Sequence, residues 1–264
     1  MTPPNSLSKF SKSCARALVD SLLRVSHTKL PPYFSIRDRL SYLIHGLEPS
    51  IVKVAANILR PGDTVVDIGA NVGFLTREFA SLVGHQGKVL AFEPDPVTFD
   101  FLQCNTQRLP QVSVFQEAMS DHIGKMSFHL HPTSGMSNSL VNAWKDGRTI
   151  QVNTSTLDAW AKDNAIADIR LVKIDVEGAE LLVLRGMQGI LEGRNGPQLI
   201  FEFCPKNLGG RDVEVGIFDL LREHGYSLFL IETSGQLHSV ANSNVVHRHL
   251  NRNDYANLMA RREL

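Results

Sequence analysis

The sequence predicts an α/β protein in which a mostly parallel, seven-stranded sheet carries helices on both faces. Short apolar, β-branched runs alternate along the chain with stretches of helical periodicity, which is typical of parallel sheets joined by crossover helices. A glycine-rich turn follows the first of these runs, and carboxylates follow two others. Because ligands bind at the carboxyl ends of the strands in such sheets, we expect one ligand cleft at that edge.

The elements follow in chain order. Strands are predicted over Thr64–Val66, Lys88–Phe92, Val112–Phe115, Arg170–Ile174, Gln198–Phe203, Tyr226–Ile231 and Gln236–Val240. Helices are predicted over Ile36–His45, Pro49–Leu59, Phe74–Ala80, Val97–Leu109, Thr156–Asn164, Ala179–Leu191 and Val213–His224. Two further alternating runs, Met126–His131 and Thr149–Asn153, bracket a polar loop and predict an inserted β-hairpin or a substrate-side loop.

Four segments are predicted. Residues 1–30 form a basic N-terminal arm, partly helical or mobile, with an amphipathic helix from Cys14 to Val25, and residues 31–60 form a helical cap. Residues 61–245 form the main domain, with an inserted segment at about 122–153. Residues 246–264 form a C-terminal extension.

Composition excludes several classes of protein. The 264 residues include 27 basic and 27 acidic side chains, so no overall field favours nucleic acid or a membrane surface. No apolar stretch approaches the roughly 20 residues of a membrane span. The three cysteines, Cys14, Cys104 and Cys204, form no CxxC pair and no disulfide framework, which favours a reducing, cytoplasmic location.

The first strand leads into a turn of small residues. Asp67 ends the apolar run, and Gly69, Asn71 and Gly73 shape the turn. Glycine lets the backbone approach a ligand closely, and we expect the following helix to present free N–H groups to an anionic group. A dinucleotide-binding turn would place a third glycine at position 74, which is Phe74 here. The turn therefore predicts a nucleotide-binding site whose glycine spacing differs from that of a dinucleotide-binding turn.

The second strand ends in a carboxylate. Glu93 lies 24 residues after Gly69 and is followed by Pro94. A carboxylate near that distance, at the carboxyl end of the second strand, can accept both hydroxyls of a ribose. The two features together predict an adenosine-containing ligand. Dehydrogenases and methyltransferases both fit this pattern.

The fourth strand brings a second set of charges to the same edge. Strand alternation places Lys173 and Asp175 on one side, and Asp175 ends the strand. We expect Asp175 to lie at the edge that carries the glycine turn. Glu177 and Glu180 flank the start of the next helix, where carboxylates are favoured.

Four stretches together resemble the FkbM-type methyltransferases: VVDIGANVG, AFEPDP, the TSTLDAW run from Thr154 to Trp160, and VKIDVEGAELLVLRGM. The resemblance extends from about Glu48 to about Phe203. It implies a class I methyltransferase, Rossmann-like fold and transfer of a methyl group from S-adenosyl-L-methionine, usually to a hydroxyl of a small molecule or sugar. The cofactor-binding residues would then be Asp67, Gly69, Ala70, Asn71, Gly73, Glu93 and Pro94, and Asp175 would line the methyl-transfer cleft. The Gly135–Ser139 loop matches the family loosely.

An alcohol acceptor requires a base that takes its proton during methyl transfer. Asp175 is the first candidate for the catalytic base, with Glu177 or Glu202 next. Glu202 lies in an apolar strand, where burial would raise its pKa. An ion pair of Glu202 with Lys173 or an arginine is an equally good interpretation.

No metal site is predicted. His129 and His131 share a strand face but lack further ligands at a suitable spacing, and His247 and His249 are interpreted in the same way. Metal-assisted deprotonation through Asp175 is the alternative.

Two other functions stay open beside the methyltransferase. One is a nicotinamide-dependent oxidoreductase or epimerase, which Phe74 and the lack of a Tyr-x-x-x-Lys pair disfavour. The other is a methyltransferase-like binding subunit without turnover, which the intact set of Gly69, Glu93 and Asp175 disfavours. The expected partner is a small-molecule or sugar acceptor, with no nucleic acid and no membrane span.

Overall fold

The computed structural model describes residues 16–23, 28–36, 39–40, 43, 48–132, 137–142, 145–250 and 254–262. Residues 1–15 of the N-terminal arm and much of the predicted helix Ile36–His45 lie outside the described residues. Residues 16–23 are helical, within the amphipathic helix predicted from Cys14 to Val25.

The described strands and helices alternate over most of the chain. The strands are β1 (Thr64–Ile68), β2 (Lys88–Phe92), β3 (Val112–Phe115), β4 (Ala118–Met119), β5 (Gly124–Leu130), β6 (Arg148–Ser155), β7 (Leu171–Ile174), β8 (Gln198–Phe203), β9 (Tyr226–Ile231), β10 (Leu237–Ser239) and β11 (Ala256–Arg262). The helices are α1 (Pro49–Ile58), α2 (Phe74–Val83), α3 (Pro96–Thr106), α4 (Leu157–Asp163), α5 (Glu180–Arg185), α6 (Gln188–Glu192), α7 (Arg211–Glu223) and α8 (Ser243–His247).

The main sheet has the strand order β10-β9-β11-β8-β7-β1-β2-β3. The five strands from β8 to β3 are parallel, whereas β11 is antiparallel to both β8 and β9. The mostly parallel sheet is therefore confirmed, with eight strands instead of the predicted seven. The strand predicted over Gln236–Val240 forms only β10, which pairs with β9 at the edge of the sheet.

The additional strand, β11, comes from the segment set apart in the sequence as a C-terminal extension. It lies between two other strands, and both of its faces are covered, so Leu258, Met259 and Ala260 are all buried. A strand covered on both faces shows no alternation of apolar and polar residues. This explains why the sequence pattern did not indicate it.

Helices cover both faces of the sheet, as predicted. On one face Val65 and Leu171 pack with Ile51 of α1 and Phe79 of α2. On the other face Val66, Ile68, Val172 and Ile174 pack with residues of α4, α5 and α7, among them Trp160, Val183 and Phe218. Because successive strand residues point to opposite faces, the short β1 supplies both cores.

The inserted segment forms a sheet of its own, with the order β4-β6-β5. Strands β5 and β6 pair antiparallel from Gly124 opposite Thr154 to Leu130 opposite Arg148. The predicted hairpin is thereby confirmed. It lies beside the cleft, because Phe128 of β5 lines the cavity described below.

The prediction of one helix over Ala179–Leu191 is wrong in one respect, because the structure has two helices there, α5 and α6. A Cβ on Gly186 would lie 1.9 Å from the carbonyl oxygen of Ser120, so another segment packs directly against the backbone there. The Asp158 carboxylate accepts hydrogen bonds from the amides of Gly189 and Ile190, each at 2.8 Å, and so caps α6. Tertiary contacts therefore interrupt a helix that local propensity alone would continue.

The sheet order places the ligand edge beside β1. Strand β1 pairs with β2 on one side and with β7 on the other, so the chain changes direction across the sheet at this point. A crevice opens where such a change occurs, at the carboxyl ends of the strands. Within the described residues, every helix is too short or too polar to traverse a lipid bilayer.

Candidate active site

The turn after β1 brings two strand ends into direct contact. Gly69 has φ 75°, and a Cβ there would lie 1.8 Å from the carbonyl oxygen of Asp175. Gly73 has φ 87° and precedes α2, where a Cβ would lie 2.8 Å from Leu102. Only glycine fits both positions, so the turn can bend tightly against the end of β7.

The amides of this turn bond within the protein. The N–H groups of Gly69 and Ala70 both donate to the carbonyl of Phe92, and that of Gly73 donates to Ala70. The amide of Asn71 donates to Glu93 at 3.0 Å, and the Asn71 side chain accepts from the amide of Val72 at 2.8 Å. These hydrogen bonds fix the shape of the turn at residues 69–73.

Asp67 lies beneath the turn and is fully buried. Its Oδ2 accepts a hydrogen bond from the Thr76 hydroxyl at 2.6 Å, and its Oδ1 lies 3.5 Å from the Lys173 Nζ. Lys173 also donates to the carbonyl of Gly69 at 2.9 Å and lies 3.3 Å from Asp175 Oδ2. Asp67 thus holds the glycine turn through Lys173 instead of facing the cavity.

Lys173 is a buried cation surrounded by carboxylates. Burial by itself lowers the pKa of Lys173, but the carboxylates of Asp175, Asp67 and Glu48 outweigh that effect and keep the pKa of Lys173 above its ordinary value. Its Nζ joins the end of β7 to the turn after β1. This buried ammonium group therefore holds the two strand ends together.

Glu93 directly follows β2 and is 6% exposed. One carboxylate oxygen accepts from the amide of Asn71 at 3.0 Å, and the other accepts from the amide of Asp95 at 2.9 Å. Burial raises the pKa of Glu93 to about 8, against the lowering effect of the two amides. Each oxygen keeps a further lone pair, and the side chain lines the cavity.

A cleft that is open to solvent lies at this edge of the sheet, and the empty space between its walls and the opening is about 570 Å³. Four of the seven residues predicted to bind the cofactor line it: Gly69, Asn71, Glu93 and Pro94. The other three lie behind it, where Asp67 bonds to Thr76, Ala70 packs against Ala91 and Leu102, and Gly73 begins α2. The cavity wall also contains Phe92, Met119, Phe128 and Leu140, with Glu117 and Asn138 among its polar groups.

The three residues predicted as candidate bases come together. One oxygen from each of Asp175, Glu177 and Glu202 lies within 4.8 Å of the other two, although the residues belong to different strands and turns. Asp175 and Glu177 line the cavity. Such a cluster has the geometry that could also hold a cation.

Burial and mutual repulsion determine the proton affinities of this cluster. Burial raises the pKa of Glu177 to about 8, and the charges of Asp175 and Glu180 act in the same direction. Burial and the nearby carboxylates, Asp175 first, raise the pKa of Glu202 to about 10. Glu202 forms no ion pair with Lys173 or an arginine within the described residues. The alternative interpretation of Glu202 as a paired charge is therefore not supported.

Glu48 and Glu180 surround the cluster. Glu48 precedes α1, and burial with the charge of Asp175 raises its pKa to about 7. Glu180 is 2% exposed, and its Oε1 accepts from the amides of Val176 and Gly178 at 3.3 and 3.2 Å. Burial raises the pKa of Glu180 to about 7. Glu180 therefore supports the turn that carries Glu177 and does not line the cavity.

Sequence patterns missed several polar residues of the site, namely Glu48, Glu117, Asn142 and Asn207, and gave no definite role to Asn138 of the loosely matching Gly135–Ser139 loop. Asn138 donates to Asp95 at 3.2 Å, and Asn207 donates to Glu177 Oε2 at 2.7 Å. These residues lie in loops or turns, where the sequence shows no periodicity. The KIDVEGAE stretch indicates that a tight turn follows β7, but no pattern in the sequence predicts which residues form hydrogen bonds with that turn.

The histidines expected not to bind metal lie apart from the cluster. His129 Nδ1 lies 3.0 Å from the Thr149 hydroxyl on the neighbouring strand, and His247 Nε2 lies 2.8 Å from Glu214. Both have a protein partner for a ring nitrogen. Within the described residues, the histidines add no ligand to the three carboxylates.

Comparison with known proteins identifies relatives of this chain. The methyltransferase FkbM domain matches residues 67–228. Hexuronic acid methyltransferase AglP of Haloferax volcanii is 29% identical over 149 residues, which is 56% of this chain and 59% of AglP. The 2-O-methyltransferase NoeI of Sinorhizobium fredii is 30% identical over 176 residues, which is 58% of this chain and 71% of NoeI.

A third relative is the 31-O-demethyl-FK506 methyltransferase FkbM of Streptomyces tacrolimicus. It is 32% identical over 177 residues, which is 56% of this chain and 64% of that protein. The chain thus spans less than two thirds of AglP and of this FkbM protein. Among solved structures, the methyltransferase domain of METTL16 has a similar fold, with a TM-score of 0.50 and 13% identity over 95% of this chain and 80% of that chain.

Proposed function

The chain belongs to the FkbM methyltransferase family, and from this premise we propose that it transfers the methyl group of S-adenosylmethionine to a hydroxyl oxygen of a sugar or another small molecule. One observation carries the proposal. The turn at Gly69, the carboxylate of Glu93 and the carboxylates of Asp175 and Glu177 all line one cavity. A cofactor site and a proton-accepting group thereby lie side by side.

The cofactor half of the cavity fits an adenosine. Each oxygen of Glu93 is held by one backbone amide and keeps a lone pair for one hydroxyl of a ribose diol. We place the adenine ring against the apolar wall of Phe92, Met119 and Leu140, with the half-buried Glu117 available to accept from its amino group. When bound, S-adenosylmethionine supplies an electrophilic methyl group on a positively charged sulfur.

Asp175, Glu177 and Glu202 form the acceptor half. The negative charge of Asp175 complements a sulfonium at close range. We assign the base to Glu177, because a pKa of about 8 makes its deprotonated form a stronger base than an ordinary carboxylate, and that form predominates above about pH 8. Asp175 is held by Lys173 at 3.3 Å, so we place it as the group that orients the turn and as the second candidate base.

Glu202 takes a different role in this proposal. With a pKa of about 10 it carries a proton at neutral pH, so it can donate a hydrogen bond to a second hydroxyl of the acceptor. A donor and an acceptor within 4.8 Å of each other suit a molecule with neighbouring hydroxyls, such as a sugar. The names of AglP and NoeI point to a hexuronic acid and to a 2-O position in those proteins.

The remaining features of the proposal concern location and partners. The thiols of Cys104 and Cys204 are free, which supports a reducing, cytoplasmic environment. The net charge of zero gives no reason to expect a nucleic acid partner. The family match favours methyl transfer over the nicotinamide-dependent oxidoreductase. A binding subunit without turnover is the rival that an assay must exclude.

Two measurements test the proposal. Calorimetry should show that the full chain binds both S-adenosylmethionine and S-adenosylhomocysteine. Transfer of a tritiated methyl group should then be measured to a panel of methyl glycosides that includes a neutral hexose, a deoxyhexose, an aminohexose and a hexuronic acid, and to extracts of the source cell. Binding without transfer to any acceptor would favour the binding subunit, and absence of binding would overturn the cofactor assignment.

A further inference from the structure

Three polar side chains clamp the turn that carries Glu177. The hydroxyl of Ser139 and the amide nitrogen of Asn142 both donate to the carbonyl oxygen of Glu177, each at 2.7 Å. The amide nitrogen of Asn207 donates to the Glu177 carboxylate, also at 2.7 Å. We call Ser139, Asn142 and Asn207 the Glu177 clamp. It fixes both the backbone and the side chain of one residue.

The backbone needs such support. Glu177 has φ 54°, in the left-handed region that side chains other than glycine rarely adopt. Gly178 follows with φ 106°, and a Cβ there would lie 2.1 Å from the carbonyl oxygen of Asn207. The turn is thus pressed against the loop after β8 in a strained conformation. Strain of this kind persists where surrounding contacts over-determine it, and it is frequent at functional sites.

The clamp joins three distant parts of the chain. Asn142 also donates to the carbonyl of Asn207 at 2.8 Å, so the inserted segment and the loop after β8 are linked to each other as well as to Glu177. Ser139 is fully buried and exchanges backbone hydrogen bonds with His129 of β5 at 2.7 and 3.0 Å. The hairpin therefore holds its side of the clamp rigidly.

The same segment reaches the cofactor half. Asn138, next to Ser139, donates to the carboxylate of Asp95, whose own amide donates to Glu93. Asn138 and Leu140 line the cavity. Residues 137–142 therefore contact Asp95, which bonds to Glu93 in the cofactor half, and they also contact the turn that carries Glu177.

On the basis of the proposed function, we infer that Asn142 and Asn207 are positioning residues. They hold the Glu177 carboxyl group in the methyl-transfer cleft and set its proton affinity, so that deprotonation of the acceptor depends on the docked inserted segment. Neither residue touches the reacting atoms. Both act through Glu177.

The charged and titratable groups around Glu177 are Lys173 on β7, Asp175 directly after β7, Glu180 on α5, Glu202 on β8 and Cys204 directly after β8. Of these only Lys173 opposes the raised pKa of Glu177, while the Asn207 amide opposes it through a hydrogen bond. A hydrogen bond to a carboxylate favours the charged form. Loss of the Asn207 donor should therefore raise the pKa of Glu177.

The test follows the carboxyl group itself and needs no acceptor. The full chain is labelled with ¹³C at the glutamate carboxyl carbons, and the resonance absent from Glu177→Gln identifies Glu177. We expect Asn207→Ala to raise its titration midpoint by about one pH unit. Asn207→Asp, which keeps the volume and adds a negative charge, should raise it further, and Asn142→Ala should raise it less. Asn164→Ala removes a comparable amide hydrogen bond to the Trp160 carbonyl, far from the cluster, and should leave it unchanged.

Two readouts complete the experiment. With a glycoside that the panel shows to be methylated, the acid limb of the kcat profile should move upward with the Glu177 midpoint, while KM for S-adenosylmethionine changes less than about twofold. Folded Asn207→Ala and Asn207→Asp variants with an unmoved Glu177 midpoint would overturn the inference. If the Glu177 midpoint moves in the variants but the wild-type chain methylates no acceptor, the result would support the clamp and contradict only the proposed function.

Discussion

The two halves of the cleft are held by different kinds of interaction. In the cofactor half, glycines with positive φ and backbone amides define the shape, and the carboxyl group of Glu93 accepts from two amides. In the acceptor half, the carboxylates of Asp175, Glu177 and Glu202 meet within 4.8 Å. Backbone geometry makes the first half rigid, whereas crowded carboxylates give the second half a high affinity for protons. Cofactor binding therefore depends on backbone geometry, whereas proton transfer depends on the crowded carboxylates. A substitution can alter one without the other.

The largest effect should come from Gly69→Ala, which acts on both halves at once. The added Cβ would lie 1.8 Å from the Asp175 carbonyl in a left-handed conformation, so we expect a loss of about 3 kcal/mol or more in the free energy of unfolding and loss of cofactor binding. Gly62→Ala is the matched control, since Gly62 has φ 95° but no atom within 4 Å of its Cβ. It should cost about 1–2 kcal/mol. Urea denaturation and calorimetry measure both, and equal costs would contradict the close approach of the two strands.

Loss of the base should affect the acceptor half alone. We expect Glu177→Gln to lower kcat by about 10²–10⁴-fold with unchanged affinity for S-adenosylmethionine, because it removes a proton acceptor and keeps the shape. Asp175→Asn is the comparison that ranks the two candidates. Full turnover in Asp175→Asn with normal cofactor binding would remove Asp175 from catalysis, and full turnover in Glu177→Gln would do the same for Glu177.

Loss of the ribose carboxylate should affect the cofactor half alone. Glu93→Gln replaces one carboxyl oxygen with an NH₂ group that cannot accept a hydrogen bond from a ribose hydroxyl, so we expect affinity for S-adenosylmethionine to fall about 10–100-fold. Glu223→Gln on the exposed end of α7 is the control and should change nothing. Calorimetry gives the affinities. A normal affinity in Glu93→Gln would place the ribose elsewhere.

Stability should depend on pH through both halves. The pKa values of Glu93 and Glu177 are about 8 and that of Glu202 is about 10 in the folded chain, against an ordinary 4.5. Between about pH 4.5 and 8 the folded state therefore binds more protons than the unfolded state, so stability falls as pH rises. Urea denaturation at intervals of one pH unit should show this fall, at most about 1.4 kcal/mol per unit for each protonated group. Glu202→Gln should flatten the slope, and a stability that rises through this range would contradict the raised pKa values.

Removal of metal should have the smallest effect. Bound protons and the positive charge of Lys173 offset the negative charge of the carboxylate cluster. An oxygen of Glu177 also already accepts a hydrogen bond from Asn207. We therefore expect a chelator to change the rate of methyl transfer by less than about twofold. A larger loss that Mg²⁺ or Mn²⁺ restores would show that Asp175, Glu177 and Glu202 hold a cation and would replace the proton-based account of the acceptor half.

The cofactor half is the part of the site that sequence patterns can predict. The turn at Gly69 and the carboxylate at Glu93 follow their strands directly, so strand periodicity and turn chemistry place both. Local patterns also predicted the hairpin of β5 and β6. They failed where a distant segment decided the outcome, as for the break at Gly186 and for β11.

The sequence by itself determined that a parallel sheet would present Gly69, Glu93 and Asp175 at one edge, because strand ends and glycine turns are local properties of the chain. Only the tertiary structure decided that Glu202 would join Asp175 and Glu177, that Lys173 would hold the Gly69 turn, and that Asn142 and Asn207 would clamp Glu177. Burial and electrostatic coupling depend on distances between residues far apart in the chain. Those distances exist only after the sheet has formed and the inserted segment has packed against it.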